Sequence, residues 1–92
     1  MMYSRILLKL SGESLVKENG HGIDASALDD LAEQIVGIRG LGTEAGIVLG
    51  GGNIFRGARG EGEGIGRVTG DYMGMIATLI NGLALQDALE RR

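Results

Sequence analysis

Two short stretches carry the groups best suited to bind an anion. The first is Lys9-Leu10-Ser11-Gly12, and the second is Gly50-Gly51-Gly52-Asn53-Ile54-Phe55-Arg56-Gly57. In the second, the apolar run Gly46-Ile47-Val48-Leu49 ends in three consecutive glycines. A strand there would hold the turn in place. Residues without Cβ would let peptide N–H groups approach an anion with no side chain in the way. Arg56 adds a planar, permanently charged fork, and Lys9 adds a point charge beside a Ser-Gly turn. Phosphate is the anion this set suits. Each part also has a plainer reading: a flexible turn after a strand, and a solvated lysine at a strand end. No Gly-Lys-Ser/Thr occurs, so neither stretch is a Walker A loop.

The remaining candidates are less pointed. His21 is the sole histidine and lies in the polar stretch Lys17-Glu18-Asn19-Gly20-His21-Gly22. It has no partner at ligand spacing, so no metal site is expected. Asp29, Asp30 and Glu33 read as the solvated face of a helix. Asp71, after Thr69-Gly70, falls near the start of a long helix, where a carboxylate meets the dipole favourably. It reads either as a helix cap or as an acceptor for a ligand hydroxyl. Gly40-Leu41-Gly42 follows a helix and lacks the later spacing of a dinucleotide fingerprint. The Gly/Glu-rich stretch from Ala58 to Gly66 reads as a surface loop and a candidate lid.

The totals exclude several classes. The 92 residues suit one domain, and 43% apolar with 23% charged residues is ordinary globular composition. Net charge is -3 with nine scattered basic residues, which does not favour a nucleic-acid surface. Tyr3, Phe55 and Tyr72 are the only aromatics, too few for a base-stacking platform. Without cysteine there are no disulfides or thiolate metal sites. No apolar run approaches the roughly 18 residues of a membrane span. The N-terminal apolar stretch, broken by Lys9, is too short for a signal peptide. A cytoplasmic location is therefore expected, with no membrane or nucleic-acid partner.

The elements that must position these groups follow from periodicity. Arg5 to Leu10 reads as a strand, and its unbroken Ile6-Leu7-Leu8 predicts burial on both faces of a parallel sheet. A helix opens at Asp24 or Ser26, either of which can cap it, and Ser26 with Asp29 makes a weak capping box. Leu28, Leu31, Ala32, Ile35 and Ile38 then recur at helical spacing. Gly40 and Gly42 end the helix. Gly46 to Leu49 is the second strand. A βαβ unit requires parallel strands and a right-handed crossover, so both strand C-termini share one edge. Lys9-Gly12 and Gly50-Asn53 then converge at the edge where open α/β sheets bind ligands. A last helix begins near Arg67 to Asp71 and runs to Glu90. It is apolar over most of its girth, which predicts burial on several sides, by another part of the protein or by another subunit.

At these residues the chain resembles the bacterial uridylate (UMP) kinases of the amino-acid kinase superfamily. The matching pieces are 5–13, 22–24, 50–57, 67–75 and 81–89, in order and covering essentially the whole chain. Glycine triplet, Asn and Phe-Arg-Gly, followed by Gly-Asp-Tyr-Met-Gly-Met, is the specific combination. The resemblance implies an α/β fold, a partial parallel-sheet sandwich with a βαβ unit, a long buried helix and an incomplete sheet. It implies Mg²⁺-dependent phosphoryl transfer from ATP to UMP, in pyrimidine nucleotide biosynthesis. It assigns Lys9, Leu10, Ser11, Gly12, Gly52 and Arg56 to ATP and the transferred phosphate, with Lys9 and Arg56 catalytic. It assigns Gly51 and Asp71 to UMP, and Lys17 to Gly22 to allosteric activation by GTP. It further implies a homo-hexamer built from dimers, with contacts through the helix near 70–90.

Such kinases are about twice this length or more. Their later half supplies the adenine pocket, further UMP contacts, and a second lysine and aspartate. Residues 1–92 are therefore expected to be an N-terminal, UMP- and phosphate-binding part with little or no turnover alone. Two other readings stay open: a non-catalytic nucleotide- or anion-binding or self-associating module, and a superfamily kinase acting on an acyl carboxylate.

Overall fold

The computed structural model describes residues 3–16, 22–55 and 64–92. In chain order these form strand β1 (Arg5–Leu10), a short 3-10 helix (Gly12–Leu15), helix α1 (Ala25–Gly40), strand β2 (Glu44–Leu49) and helix α2 (Arg67–Glu90). The strands pair in parallel, from Arg5 opposite Glu44 to Leu10 opposite Leu49. Strand β2 begins two residues before the apolar run. The Glu44 N–H donates to the Ser4 carbonyl at 2.9 Å and the buried Thr43 hydroxyl donates to the Tyr3 carbonyl at 3.0 Å, which pulls Glu44 and Ala45 into the ladder.

Helix α1 takes Asp24, not Ser26, as its cap. The Asp24 carboxylate accepts from the Ala27 N–H at 2.9 Å, with Asp24 itself still extended. At the other end, Gly42 has φ +86°, a left-handed turn that a Cβ would disfavour. It reverses the chain from α1 into β2. The buried face of α1 is Ala27, Leu28, Ala32 and Ile35, as the spacing predicts.

Ile47 and Leu49 of β2 join Leu15, Leu28, Ala32, Ile35, Leu85 and Ala88 in one core cluster. Leu15 is fully buried at its centre. The strands do not behave as the unbroken apolar run predicts. Inner and outer residues alternate along both, and Leu7 and Val48 are 72% and 49% exposed. One face of the sheet is covered and the other is open, because the described residues provide a helical layer on one side only.

Helix α2 also differs from expectation. Its buried residues are Gly70, Ala77, Asn81, Leu85 and Ala88, a narrow stripe of mostly small side chains. Tyr72, Met75, Ile76, Leu79, Ile80 and Leu83 lie between 44% and 66% exposed. The helix is apolar all round, yet within the described residues it is buried on one side. Exposed ion pairs join the ends of the two helices, from Arg92 to Glu33 at 3.4 Å and to Asp29 at 3.7 Å. At such exposure they contribute little. Among the described residues no helix is long and apolar enough to cross a membrane.

Candidate functional site

The parallel register fixes where the two anion-suited turns meet. Leu10 lies opposite Leu49, so both strands end together. The ladder runs one step further, with the Gly50 N–H donating to the Leu10 carbonyl at 2.9 Å. Beyond that bond the chains diverge and leave a cleft of about 600 Å³. Lys9, Leu10, Ser11 and Gly12 line one side, and Gly50, Gly51 and Gly52 the other. Lys9 is exposed on the open face of the sheet, opposite Val48, which also borders the cleft. It is the one charged side chain among the described lining residues.

The glycines have a use that the sequence did not reveal. A Cβ on Gly51 would stand 2.8 Å from both the Ala77 Cβ and the Thr78 backbone nitrogen. A Cβ on Gly12 would stand 2.3 Å from Asn53 Oδ1. Both distances are below contact, so these residues are bare because protein packs against them. At Gly51 the neighbour is α2, and at Gly12 it is the glycine turn itself. The anion-access argument therefore does not by itself explain these two positions. Among the described residues, however, no acceptor is bonded to the N–H of Gly51 or Gly52. Both residues border the cleft, and the Gly51 N–H points away from α2, opposite the Gly50 carbonyl that faces Asn81.

Behind the turn lies a buried amide pair. Asn53 and Asn81 are 2% and 0% exposed. Asn81 Nδ2 donates to Asn53 Oδ1 at 2.6 Å and to the Gly50 carbonyl at 2.8 Å. Asn53 Nδ2 donates to the Gly22 carbonyl at 2.6 Å, with a longer 3.2 Å contact to Asn81 Oδ1. The Gly22 N–H returns a bond to the Asn53 carbonyl at 2.7 Å. No buried side-chain polar atom is left unsatisfied among the described residues.

The other expected site residues are distributed as follows. Arg56 and residues 17–21 lie outside the described residues, as do positions 58–63 of the candidate lid. Of the expected effector stretch, Gly22 is described, and it is tied to Asn53. Asp71 does not cap α2. The N-cap is Gly66, which has no side chain to offer, and Asp71 sits in the second helical turn. It accepts from Arg67 Nε at 3.0 Å, is exposed, and does not border the cleft. Its reading as an acceptor for a ligand hydroxyl remains. No group of three or more His, Cys, Asp or Glu side chains converges among the described residues.

Thr78 and Asn81 were missed as parts of the site, and Asn53 and Phe55 were placed in the turn without a role. Thr78 and Phe55 border the cleft, and the amide pair supports it. The available signal was Asn81 itself. An amide flanked by Leu79, Ile80 and Leu83 in an apolar helix is either exposed or partnered.

Residues 4–92 match the amino acid kinase family, and the chain belongs to it. It is 60% identical over 90 residues to the uridylate kinase of Histophilus somni (strain 129Pt), covering 98% of this chain and 38% of that protein. It is 58% identical over 91 residues to the uridylate kinase of Legionella pneumophila (strain Paris), covering 99% of this chain and 37% of that one. Among solved structures, the UMP kinase of Bacillus anthracis superposes with a TM-score of 0.89 at 43% identity, over 98% of this chain and 37% of that chain. The UMP kinase of Ureaplasma parvum gives a TM-score of 0.86 at 45% identity, over 99% of this chain and 38% of that chain. The chain thus spans well under half the length of the relatives it matches.

Proposed function

We propose that this chain forms the UMP- and phosphate-binding part of a uridylate kinase, which transfers the γ-phosphoryl group of ATP to UMP. The observation that carries this reading is the shared edge. Lys9 and the Ser11-Gly12 turn share one cleft with Gly51 and Gly52, whose N–H groups have no acceptor among the described residues. The 60% identity to a uridylate kinase supports UMP as acceptor over an acyl carboxylate.

The chemistry needs little beyond this set. A UMP phosphate oxygen attacks the γ-phosphorus of ATP, the bond from that phosphorus to the β–γ bridging oxygen breaks, and ADP leaves. The attacking oxygen is already anionic, so no general base is required. The protein's task is alignment and charge compensation. Lys9 compensates charge on the ATP phosphates, with Leu10, Ser11 and Gly12 shaping the turn beneath them. Gly52 and Arg56 serve ATP and the transferring group. Gly51 contacts UMP, and Asp71 receives a ribose hydroxyl. The donor set at the edge is a cation and N–H groups, which fits phosphate oxygens. Mg²⁺ would come with the nucleotide as Mg-ATP and would add charge compensation on its phosphates.

The same reading includes a cytoplasmic, homo-oligomeric protein whose copies meet through the outer face of α2, and GTP as effector at residues 17–22. The uncovered apolar side chains of α2 support the first of these.

Calorimetry tests the reading. Mg-ATP and UMP should each bind the chain saturably, while a coupled ATP/UMP assay shows little or no turnover. Lys9→Ala should weaken Mg-ATP roughly 10- to 100-fold, the loss of one charge-assisted contact. Absence of nucleotide binding would overturn the reading. Inorganic phosphate binding as tightly as either nucleotide would favour a non-catalytic anion module.

A further inference from the structure

We propose that Asn53 and Asn81 are positioning residues for the phosphate edge, acting as a latch that sets both the place and the polarity of the glycine turn. The placement rests on five hydrogen bonds that join three segments otherwise far apart in sequence. Asn81 binds the turn to α2 through the Gly50 carbonyl and Asn53 Oδ1. Asn53 binds it to Gly22 through its side chain and its carbonyl. The weaker Asn53-to-Asn81 contact closes the amide pair. A fourth segment is held by contact, since Asn53 Oδ1 lies where a Cβ on Gly12 would stand. The two turns that face each other across the cleft are thus spaced by one buried side chain.

The polarity follows from the chemistry of the peptide group. The Gly50 carbonyl and the Gly51 N–H belong to the same amide. Donation by Asn81 to that carbonyl draws electron density toward oxygen and makes the Gly51 N–H a stronger donor. Gly51 borders the cleft, and its N–H, opposite the Gly50 carbonyl in a trans amide, has no protein acceptor among the described residues. The latch therefore prepares a donor for an anion it does not touch. Ordinary packing would not need an amide here. An apolar side chain would fill the space, but would leave the Gly50 carbonyl and the Asn53 amide short of partners.

Asn81→Asp separates this role from a merely structural one. It keeps the shape but replaces the Nδ2 donor by an oxygen facing two acceptors. Burial raises the pKa of such a carboxyl, and its protonated form restores one O–H donor. The readout is protection of the Gly22, Gly50 and Ile54 amides, whose bonds frame the turn, compared with the unsubstituted chain at each pH. At pH 8, exchange at these three should accelerate tenfold or more while α1 amides hold. At pH 5 the difference should shrink several-fold. UMP affinity should follow the same course. Acceleration spread evenly over the chain, or loss at the turn that ignores pH, would overturn the latch.

Should Asn81→Asp not fold, the unsubstituted chain decides. The Asn81 side-chain NH₂ and the three amides should open as one unit in native-state exchange. Turn amides that open while that NH₂ stays protected would count against the proposal. The ligand part rests on the function proposed above, and the exchange arm does not. An exchange result as expected, with no Mg-ATP binding by the unsubstituted chain, supports the latch and overturns the kinase reading.

Discussion

The two sides of α2 invert the usual expectation for a helix on a core. The inner side presents Gly70, Ala77, Asn81 and Ala88, with Leu85 the one large apolar side chain among those fully buried and Leu89 packed beside the core. The outer side carries Tyr72, Met75, Ile76, Leu79, Ile80 and Leu83 to solvent. Small residues on the inner side let the backbone of the glycine turn approach until Gly51 meets Ala77 and Thr78. The site is built by that closeness. Large residues on the outer side serve a different need, since burying them would add stabilisation of about 25 cal/mol per Å² that the described residues do not collect. The contrast gives one face to positioning the cleft and leaves the other uncovered among the described residues.

Substitutions at matched positions can break this contrast. Leu85→Ala should cost about 2–5 kcal/mol and Leu83→Ala less than about 0.5 kcal/mol, although both delete the same atoms from one helix. Urea denaturation of the two variants, at a concentration dilute enough for the monomer, measures the difference, and similar losses there would mean the outer face is buried within the monomer. Gly51→Ala should cost about 1–3 kcal/mol, because its Cβ must displace α2 backbone rather than a flexible side chain. Its amide shifts should change at Ala77 and Thr78. An unaltered midpoint would show that the turn does not sit against the helix.

A smaller effect belongs to the start of α1. Asp24→Ala removes the cap of α1 and should cost about 1 kcal/mol. A thermal melt measures it, and an unchanged midpoint would show that Asp24 does not cap the helix. The smallest effect on folding should come from Leu79→Lys with Leu83→Lys, within about 0.5 kcal/mol. Light scattering should then show self-association lost while the melting curve is kept. Association unchanged by both lysines would remove the outer face from the contact.

Much of this was legible in local pattern. Helical spacing from Leu28 to Ile38, the glycines after it and the run into Leu49 were enough to order β1, α1 and β2. Two strands joined through a helix then had to end at the same edge, which brought Lys9 and Gly50 together before any coordinates. Less legible was the sheet. Ile6-Leu7-Leu8 reads as doubly buried, but Leu7 is 72% exposed because no second layer lies on that face within the described residues. Of the two readings of Asp71, the cap is ruled out because the helix begins at Arg67, the early end of the expected range, which leaves its carboxylate beside Arg67 in the second turn.

By itself, then, the sequence determined the order of the elements, their periodicity and the residue types gathered at the strand ends. These depend on neighbours within a turn or two, and short-range sterics and hydrogen bonding govern them. The tertiary structure alone decided that Asn53 pairs with Asn81, 28 positions away, and that Gly12 and Gly51 are bare for the sake of protein contact. It also decided which side of α2 meets the turn. An amide in an apolar helix announces that it needs a partner, but the partner is chosen by how the elements dock, and docking is set by shape and burial summed over the whole core.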